Sequence, residues 1–277
     1  MKFIKNFNEI NINDITTVGG KGASLGELSN AGFPVPSGFV ITTYAYQQFY
    51  NQELPVDVEE KILKAFDELD AKRVAVRSSA VAEDSSSASW AGQLETYLNV
   101  TKDNLIENVR KCWNSIKSER MLSYAAQQDL SEDKMIVAVI VQKMVESAAS
   151  GVMFTANPIS KDRNEIMLEA GYGLGEMLVQ GFITPNNFIV DKKTFRIKSR
   201  DIQSQENMLV FKDGQNKEIP VPESKRNKQA ISNDEVVELA KMAIKIEKHF
   251  GNPQDIEWAI DDKSKVWIVQ SRPITTL

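Results

Sequence analysis

A single stretch, residues 74–100, constrains what this chain can fold into more than any other. It consists of a β-branched strand ending in Arg77, a run made mostly of Ser and Ala, and a second strand with aromatic residues, VAVRSSAVAEDSSSASWAGQLETYLNV. Small side chains, hydroxyls and backbone N–H groups suit a loop that closes over a polyphosphate, and Arg77 adds a fixed charge with fork geometry. A flexible surface loop is the alternative, but the strands on both sides favour phosphate binding.

The composition narrows the class of protein. The 277 residues are 42% hydrophobic and 26% charged, which is typical of a globular protein with one large domain or two modest ones. The net charge is −5 and no block of Lys or Arg occurs, so nucleic acid is not an expected partner. No run has the length of a membrane span and no signal-peptide core is present, so we expect a cytoplasmic protein without a membrane partner.

Cysteine and histidine are each represented once. Cys112 excludes a disulfide within the chain and lies on an apolar helix face, where a core thiol is expected. His249 lies at the end of a predicted helix just before Gly251, a position that the helix dipole favours. One such histidine does not support a histidine metal cluster or a Ser-His-Asp triad.

Hydrophobic periodicity predicts an α+β or mixed α/β protein with largely antiparallel sheets covered by helices, and α+β is the class that we expect. Helices are expected at residues 23–30, 44–50, 58–69, 104–128, 173–181 and 233–250. Strands are expected at residues 39–42, 73–77, 135–145, 150–158, 165–173, 185–191, 194–202, 255–261 and 266–272. Residues 207–232 are polar and contain two prolines, which predicts a mobile insertion or a connection between subdomains.

A lysine among glycines, Gly19-Gly20-Lys21-Gly22, precedes the first predicted helix. Glycines allow backbone geometries that other residues avoid, and a helix N-terminus together with a lysine favours a phosphate. The pattern is weak by itself, because its spacing is not that of the P-loop and Gly-Lys turns are common.

Residues 142–146, Gln-Lys-Met-Val-Glu, end a predicted buried strand. Backbone groups at a strand end, beside an apolar methionine, can recognise an adenine edge, and the following carboxylate can hold ribose hydroxyls. A strand that simply leaves the core explains the same residues equally well.

The last predicted hairpin carries three polar residues on one face. Glu257 alternates with apolar neighbours, and Gln270 and Arg272 are two positions apart on the next strand. A carboxylate and an amide oxygen that face one cleft can hold magnesium, and an arginine beside them can neutralise charge on a transferred phosphoryl group. A hairpin whose polar face meets water is the alternative.

Together these segments resemble the N-terminal nucleotide-binding domain of the phosphoenolpyruvate synthase and pyruvate phosphate dikinase family, which rifampin phosphotransferases share. Five segments appear in the family's order over nearly the whole chain: GGKGASLGEL, VAVRSSAVAEDSSSASWAGQLETYLNV, VIVQKMVESAASGVMFTANP, EAGYGLGEMLVQG and DIEWAIDDKSKVWIVQSRP. The resemblance implies one ATP-grasp domain spanning residues 1–277, with ATP and Mg²⁺ bound in a cleft between its subdomains.

The resemblance also implies a role for each matching position. Lys21 and Arg77 would contact phosphates. The loop of residues 88–96, which ends at Thr96, would cover the phosphates and approach them most closely at Gly92 and Gln93. The adenine hinge would be formed by Gln142, Lys143, Met144 and Val145, with Glu146 near the ribose. Magnesium would be held by Glu257 and Gln270, and Arg272 would bind the phosphates. The expected catalytic residues are Lys21, Arg77 and Arg272.

The chain departs from the family pattern in two ways. Family members often carry Pro-Asp where this sequence has Pro185-Asn186, and we expect a small, local structural effect. Family enzymes also pass a phosphoryl or pyrophosphoryl group from ATP to a histidine in a Thr-Ser-His type motif on a separate swivelling domain. This sequence lacks that domain and the pyruvate-binding barrel, and His249 lacks the motif.

We therefore expect a dikinase-type phosphotransferase that is incomplete by itself and needs a phosphohistidine-bearing domain or subunit as partner. The chain would be an excised domain or a separately encoded subunit, as in enzymes similar to phenylphosphate synthase, or the ATP domain of a rifampin phosphotransferase. A non-catalytic ATP-binding regulatory subunit is the alternative. The intact set of charged site residues argues against it, because idle charges are costly to bury.

Overall fold

The computed structural model describes residues 2–81, 84–85, 88–89, 95–119, 121–122, 135–275 and 277. The chain divides into two compact units, Met1–Met144 and Val145–Leu277. The expectation that both belong to one nucleotide-binding domain stays a prediction.

The first unit is built on a five-stranded antiparallel sheet with the order β1-β2-β7-β3-β6. Its strands are β1 (Ile4–Asn6), β2 (Gly38–Ile41), β3 (Val74–Ala80), β6 (Thr96–Val100) and β7 (Val137–Lys143). A separate two-stranded ribbon pairs β4 (Asp84–Ser85) with β5 (Ala88–Ser89). Its helices are α1 (Ile15–Asn30), α2 (Thr43–Phe49), α3 (Val56–Glu68) and α4 (Leu105–Ser115).

Apolar periodicity explains the core of this unit. The buried face of α3 carries Val58, Ile62, Ala65 and Phe66, as the helical spacing predicts. Cys112 is fully buried among the core residues, and burial raises the pKa of its thiol to about 12. The expected core thiol is confirmed.

The second unit is built on a six-stranded antiparallel sheet with the order β11-β10-β9-β8-β14-β15. Its strands are β8 (Ser147–Phe154), β9 (Glu165–Tyr172), β10 (Asn186–Asp191), β11 (Ile197–Asp201), β14 (Gln254–Asp261) and β15 (Val266–Pro273). The short helix α5 (Glu176–Val179) follows β9, and the long helix α7 (Asn233–Phe250) precedes β14.

Helix α7 covers one face of this sheet. It contacts β8, β9, β10 and β14, and its buried stripe includes Leu239, Ala243 and Ile246. Along β14, buried Ile256 and Trp258 alternate with half-buried Asp255 and Glu257. Because successive side chains of a strand point to opposite faces, the acidic residues lie on the face that α7 does not cover.

Residues 207–232 contain regular structure that the sequence did not predict. The hairpin of β12 (Asn207–Lys212) and β13 (Gln215–Pro220) is followed by helix α6 (Glu223–Arg226). The side chain of Gln205 accepts from the Tyr172 N–H at 2.8 Å and donates to the Tyr172 carbonyl at 3.1 Å, and the Leu174 N–H donates to the Leu209 carbonyl at 2.9 Å. These bonds attach the hairpin to the end of β9; the mobility of the segment stays a prediction.

Several predicted boundaries were wrong: the first helix begins at Ile15 instead of residue 23, and two further differences have clear physical reasons. The helix expected at residues 104–128 is interrupted after α4 ends at Ser115, whose hydroxyl donates to the Cys112 carbonyl at 2.8 Å and competes with the helical bonds. Residues 119, 121 and 122 are helical again, and residues 120 and 123–128 lie outside the described residues. Strand β3 continues past Arg77 to Ala80, because the polar Ser78 and Ser79 are buried with hydroxyl partners instead of belonging to the loop.

The α+β class with largely antiparallel sheets is confirmed. Among the described helices, none combines the length and the apolar character needed to cross a membrane.

Candidate functional site

The glycine-lysine segment lies against the end of β3. Helix α1 is kinked at Gly19, which has φ 72° and ψ 170°. A Cβ atom at Gly19 would lie 2.2 Å from the Ser79 carbonyl oxygen, so the turn requires glycine both for its backbone conformation and for its close approach. Beyond the kink, Lys21 Nζ donates to the Ser78 carbonyl at 3.5 Å. The predicted turn before a helix is therefore a kink inside α1.

Arg77 lies on β3, between β7 and β6 in the sheet of the first unit. It pairs with Thr96 on β6 and with Ile140 on β7, and its side chain is buried. Its Nη1 donates to Gln142 Oε1 at 3.2 Å. The fold thus brings Arg77, Thr96 and Gln142 together although they are distant in sequence.

The amide of Gln142 fits a ligand with a hydrogen-bond acceptor. Gln142 is 3% exposed, and its Nε2 has no hydrogen-bond partner among the described residues. A buried donor without a partner is costly, and a nucleotide provides acceptors in its phosphates and base. This observation supports a nucleotide beside Arg77. Gly92 and Gln93, expected in the covering loop, lie outside the described residues.

The expected adenine hinge is partly committed to the protein backbone. The N–H groups of Lys143 and Met144 donate to the carbonyls of Ser37 at 2.9 Å and Arg73 at 3.1 Å. The Lys143 ammonium donates to the Asp70 carbonyl at 3.1 Å. An adenine edge would have to use other backbone groups of residues 142–145, so this role stays a prediction. The boundary between the two units falls within the same segment, after Met144.

In the second unit, the predicted metal ligands stand opposite each other. Glu257 on β14 is paired with Gln270 on β15, next to a register shift between Glu257 and Trp258. Directly opposite residues of antiparallel strands share a face with Cβ atoms about 5 Å apart. Gln270 is 3% exposed, and both side chains offer hard oxygen donors of the kind that Mg²⁺ binds.

The protein would supply only part of a metal coordination shell. In the described parts of the chain, no group of three or more His, Cys, Asp or Glu side chains is arranged to hold a metal ion. Magnesium commonly takes one or two protein ligands together with phosphate oxygens and water. The pair of Glu257 and Gln270 fits that mode of binding.

Arg272 is held by a carboxylate that sequence reasoning missed. Its Nε and Nη2 both donate to Asp255 Oδ2, at 2.9 and 2.8 Å. Burial raises the pKa of Asp255, and Arg272 opposes this shift. The pairing of Asp255 with Arg272 lies two residues along from the pairing of Glu257 with Gln270, so all four side chains share one face. The sequence signal for Asp255 was its spacing: Asp255 and Glu257 are two positions apart on β14, as Gln270 and Arg272 are on β15, which places each pair on one face.

Glu169 is a second acidic residue that the sequence did not single out. It is paired with Val152 on β8, and Val152 is paired with Glu257 on β14, so Glu169 lies on the same face. Burial raises the pKa of Glu169, and the negative charge of Asp255 raises it further. The sequence signal for Glu169 was that it is the only charged residue within the otherwise apolar strand segment IMLEAGY.

The structure therefore gathers the expected residues into two sets, one in each unit. Lys21, Arg77, Thr96 and Gln142 lie around β3 in the first unit, and Glu257, Gln270 and Arg272 lie on β14 and β15 in the second. The first set contains two basic side chains and the Gln142 amide, whose Nε2 lacks a hydrogen-bond partner among the described residues. The second set has a carboxylate and an amide oxygen on the same face as a guanidinium.

Comparison with known proteins agrees with this chemistry. The family described as the pyruvate phosphate dikinase, AMP/ATP-binding domain, matches residues 15–54 and 49–277. The chain is 40% identical to a probable phosphoenolpyruvate synthase of Methanocaldococcus jannaschii, covering 100% of this chain and 27% of that protein. It is 38% identical to a phosphoenolpyruvate synthase of Pyrococcus furiosus, covering 100% and 44%. It is 36% identical to a rifampicin phosphotransferase of Bacillus cereus, covering 99% and 36%.

The chain thus spans less than half the length of these relatives. Among solved structures, the ATP-grasp ligase PsnB complexed with minimal precursor aligns with a TM-score of 0.37 at 10% identity, covering 96% of this chain and 53% of that one. The family match extends over nearly all of both units and includes every residue of the two sets described above. This chain belongs to the family of the pyruvate phosphate dikinase AMP/ATP-binding domain.

Proposed function

We propose that this chain binds Mg-ATP and donates a phosphoryl or pyrophosphoryl group to a histidine on another domain or chain. The observation that carries the proposal is the polar face of β14 and β15, where Glu257 stands opposite Gln270 and Arg272 lies two residues further along. Two hard oxygen donors on the same face as a guanidinium support this proposal, because phosphoryl transfer needs a bound cation and a positive charge near the transferred group. The names of the relatives, phosphoenolpyruvate synthase and rifampicin phosphotransferase, support a phosphotransferase.

Each residue has a distinct task in this proposal. Glu257 and Gln270 would hold Mg²⁺, which when bound neutralises charge on phosphate oxygens. Arg272, oriented by Asp255, would bind the transferred group and stabilise its developing charge. In the first unit, Lys21 and Arg77 would bind phosphates, and Gln142 would donate to the nucleotide.

The acceptor histidine would come from outside the described site. His249 is the only histidine of the sequence, lies in the last turn of α7 and packs edge-on against Phe250. In the pyrophosphoryl variant, the partner's imidazole nitrogen attacks the β-phosphorus and the bond to the AMP oxygen breaks. AMP then leaves with the electron pair. The final acceptor, whether pyruvate, a phenol-type compound or a rifamycin, would be chosen by other domains.

The test is transfer of label from β-³²P-ATP to a histidine-bearing domain of a relative, supplied separately. We expect acid-labile label on that domain and AMP in solution, both dependent on Mg²⁺. ATP binding by calorimetry without AMP formation, and without transfer of label from either β-³²P-ATP or γ-³²P-ATP, would overturn the catalytic proposal and favour a regulatory ATP-binding subunit. Absence of ATP binding would overturn both. The proposal also retains the cytoplasmic location expected from the sequence.

A further inference from the structure

A buried hydroxyl on β3 joins the two ends of the kink in α1. Ser79 Oγ donates to the Val18 carbonyl at 2.8 Å and accepts from the Gly22 N–H at 3.1 Å. In an uninterrupted α-helix the Gly22 N–H would bond the Val18 carbonyl directly, since these residues are four apart. The Ser79 hydroxyl is therefore inserted into one helical hydrogen bond, a known cause of a sharp kink.

The insertion fixes the kink against the strand that carries Arg77. Arg77 and Ser79 are two residues apart on β3, so they point to the same face, about 7 Å apart along the strand. Ser79 is fully buried, and its backbone oxygen and hydroxyl would lie 2.2 and 2.3 Å from a Cβ atom at Gly19. Helix and strand are thus in direct contact at this point. Lys21 follows the kink and reaches the carbonyl of Ser78.

We propose that Ser79 is a positioning residue for the phosphate site: its hydroxyl holds the Gly19–Gly22 turn so that Lys21 and Arg77 act on the same polyphosphate. This inference rests on the proposed function. Ser79 touches no ligand itself; it acts through the conformation of the turn. Without the hydroxyl, the Val18 carbonyl and the Gly22 N–H would either bond directly, straightening α1 and moving Lys21, or remain buried without a partner.

The neighbouring serine provides a matched control. Ser78 is on the same strand and equally buried, but its hydroxyl faces α4, where it contacts the Cys112 carbonyl and Ser115 Oγ, both at 3.3 Å. Ser78→Ala removes the same group from the same strand without touching the turn. A general loss of packing would affect Ser78→Ala and Ser79→Ala alike.

The experiment measures Mg-ATP and adenosine affinities by calorimetry for Ser79→Ala, Ser78→Ala, Lys21→Ala and the Ser79/Lys21 double variant. We expect Ser79→Ala to weaken ATP binding about ten-fold, the size of one or two buried hydrogen bonds, with adenosine binding unchanged. We expect Ser78→Ala to keep wild-type ATP affinity. The effect of Ser79→Ala should vanish in the Lys21→Ala background, because the serine acts through the lysine.

Additive effects of Ser79→Ala and Lys21→Ala, or equal losses for ATP and adenosine, would overturn the inference while leaving the proposed function intact. An unchanged ATP affinity in Lys21→Ala would instead overturn the assigned role of Lys21 and the inference with it. If Ser79→Ala does not fold, Ser79→Cys keeps a side chain of the same shape, with a slightly larger terminal atom, and replaces the hydroxyl by a weak hydrogen-bonding thiol. The same selective loss of ATP affinity is expected for it.

Discussion

Arg272 donates two hydrogen bonds to a single carboxylate oxygen of Asp255, from Nε at 2.9 Å and from Nη2 at 2.8 Å. This pair fixes the plane of the guanidinium next to the predicted metal ligands. A guanidinium stabilises the charge that develops during phosphoryl transfer best when its N–H groups are oriented before the reaction. A preorganised group then needs no rearrangement during the reaction.

Arg272→Lys tests this fixed direction. Lysine keeps the charge but has no planar fork, so we expect label transfer to fall by about 10²–10³-fold while ATP binding weakens much less. Transfer is measured with β-³²P-ATP and binding by calorimetry. Lys198→Ala is the control, because it removes an ion pair with Glu165 on the same sheet outside the site. Wild-type transfer by Arg272→Lys would contradict the assigned role.

Glu257→Gln tests the magnesium site. The substitution removes a charged oxygen ligand while keeping the size of the side chain, so we expect the Mg²⁺ concentration for half-maximal ATP binding to rise by roughly ten-fold or more. The measurement is ATP calorimetry over a series of Mg²⁺ concentrations. Glu165→Gln changes a carboxylate of β9 that bonds Asn157 and Lys198, and it should keep the wild-type dependence. Identical Mg²⁺ dependence in both variants would exclude Glu257 as a ligand.

Glu169→Gln tests the raised pKa of this carboxyl. Because burial and the charge of Asp255 raise the pKa in the folded state, the ionised form of Glu169 destabilises the fold at neutral pH. As the pH falls through the pKa of Glu169 in the folded state, this carboxyl is protonated and the free energy of unfolding of the wild-type protein rises. The rise is complete below the ordinary glutamate pKa of about 4.3. We expect Glu169→Gln to be more stable than wild type at pH 7, by a margin that shrinks toward pH 4.

Chemical denaturation of both proteins at several pH values measures this margin. A stability difference that stays constant with pH, or a variant less stable than wild type at pH 7, would show that ionised Glu169 does not destabilise the folded state.

Asn186→Asp tests the departure from the family's Pro-Asp pattern. Asn186 is 4% exposed; its Nδ2 donates to the Gln203 carbonyl at 3.1 Å, and its Oδ1 accepts from the Ala230 N–H at 2.7 Å. An ionised aspartate can accept the hydrogen bond from the Ala230 N–H. Its second carboxylate oxygen has no proton to donate and would face the Gln203 carbonyl oxygen. We expect a loss of about 1–3 kcal/mol in unfolding free energy at pH 7, and a smaller loss near pH 4.

The matched control for this substitution is Asn207→Asp, at an exposed position on the first residue of β12. Urea unfolding of both variants at the two pH values gives the comparison. Equal stability of Asn186→Asp and wild type would show that the two side-chain bonds do not hold the segment that precedes α7.

Elements governed by local rules were predictable. Helix α7 spans residues 233–250 as expected, because Ser232 and Glu235 form a capping box at its start and Gly251 ends it with φ 74°. Strands β14 and β15 follow their alternating patterns within one or two residues. In the same way, Glu257, Gln270 and Arg272 share a face, as their spacing predicted.

Elements governed by distant partners were not predictable. Ser78 and Ser79 resemble loop residues by composition, and only their buried partners on α4 and α1 make them part of β3. Asp255 and Glu169 lie on the same face as Glu257 because of the register between strands that are far apart in sequence. The turn residues Asp213 and Gly214, both with positive φ, were an available signal for the hairpin of β12 and β13, but no local pattern indicated that it would pack against β9.

The amino-acid sequence by itself determined the α+β class, the family and most of the residues that the chemistry requires, because periodicity, caps and spacing act within a few residues of chain. Only the tertiary structure decided which carboxylate orients Arg272, which amide lies beside Arg77 and which hydroxyl enters the helix at Gly19. Those relationships depend on strand register and helix docking, where contacts form between residues tens of positions apart and leave no local pattern.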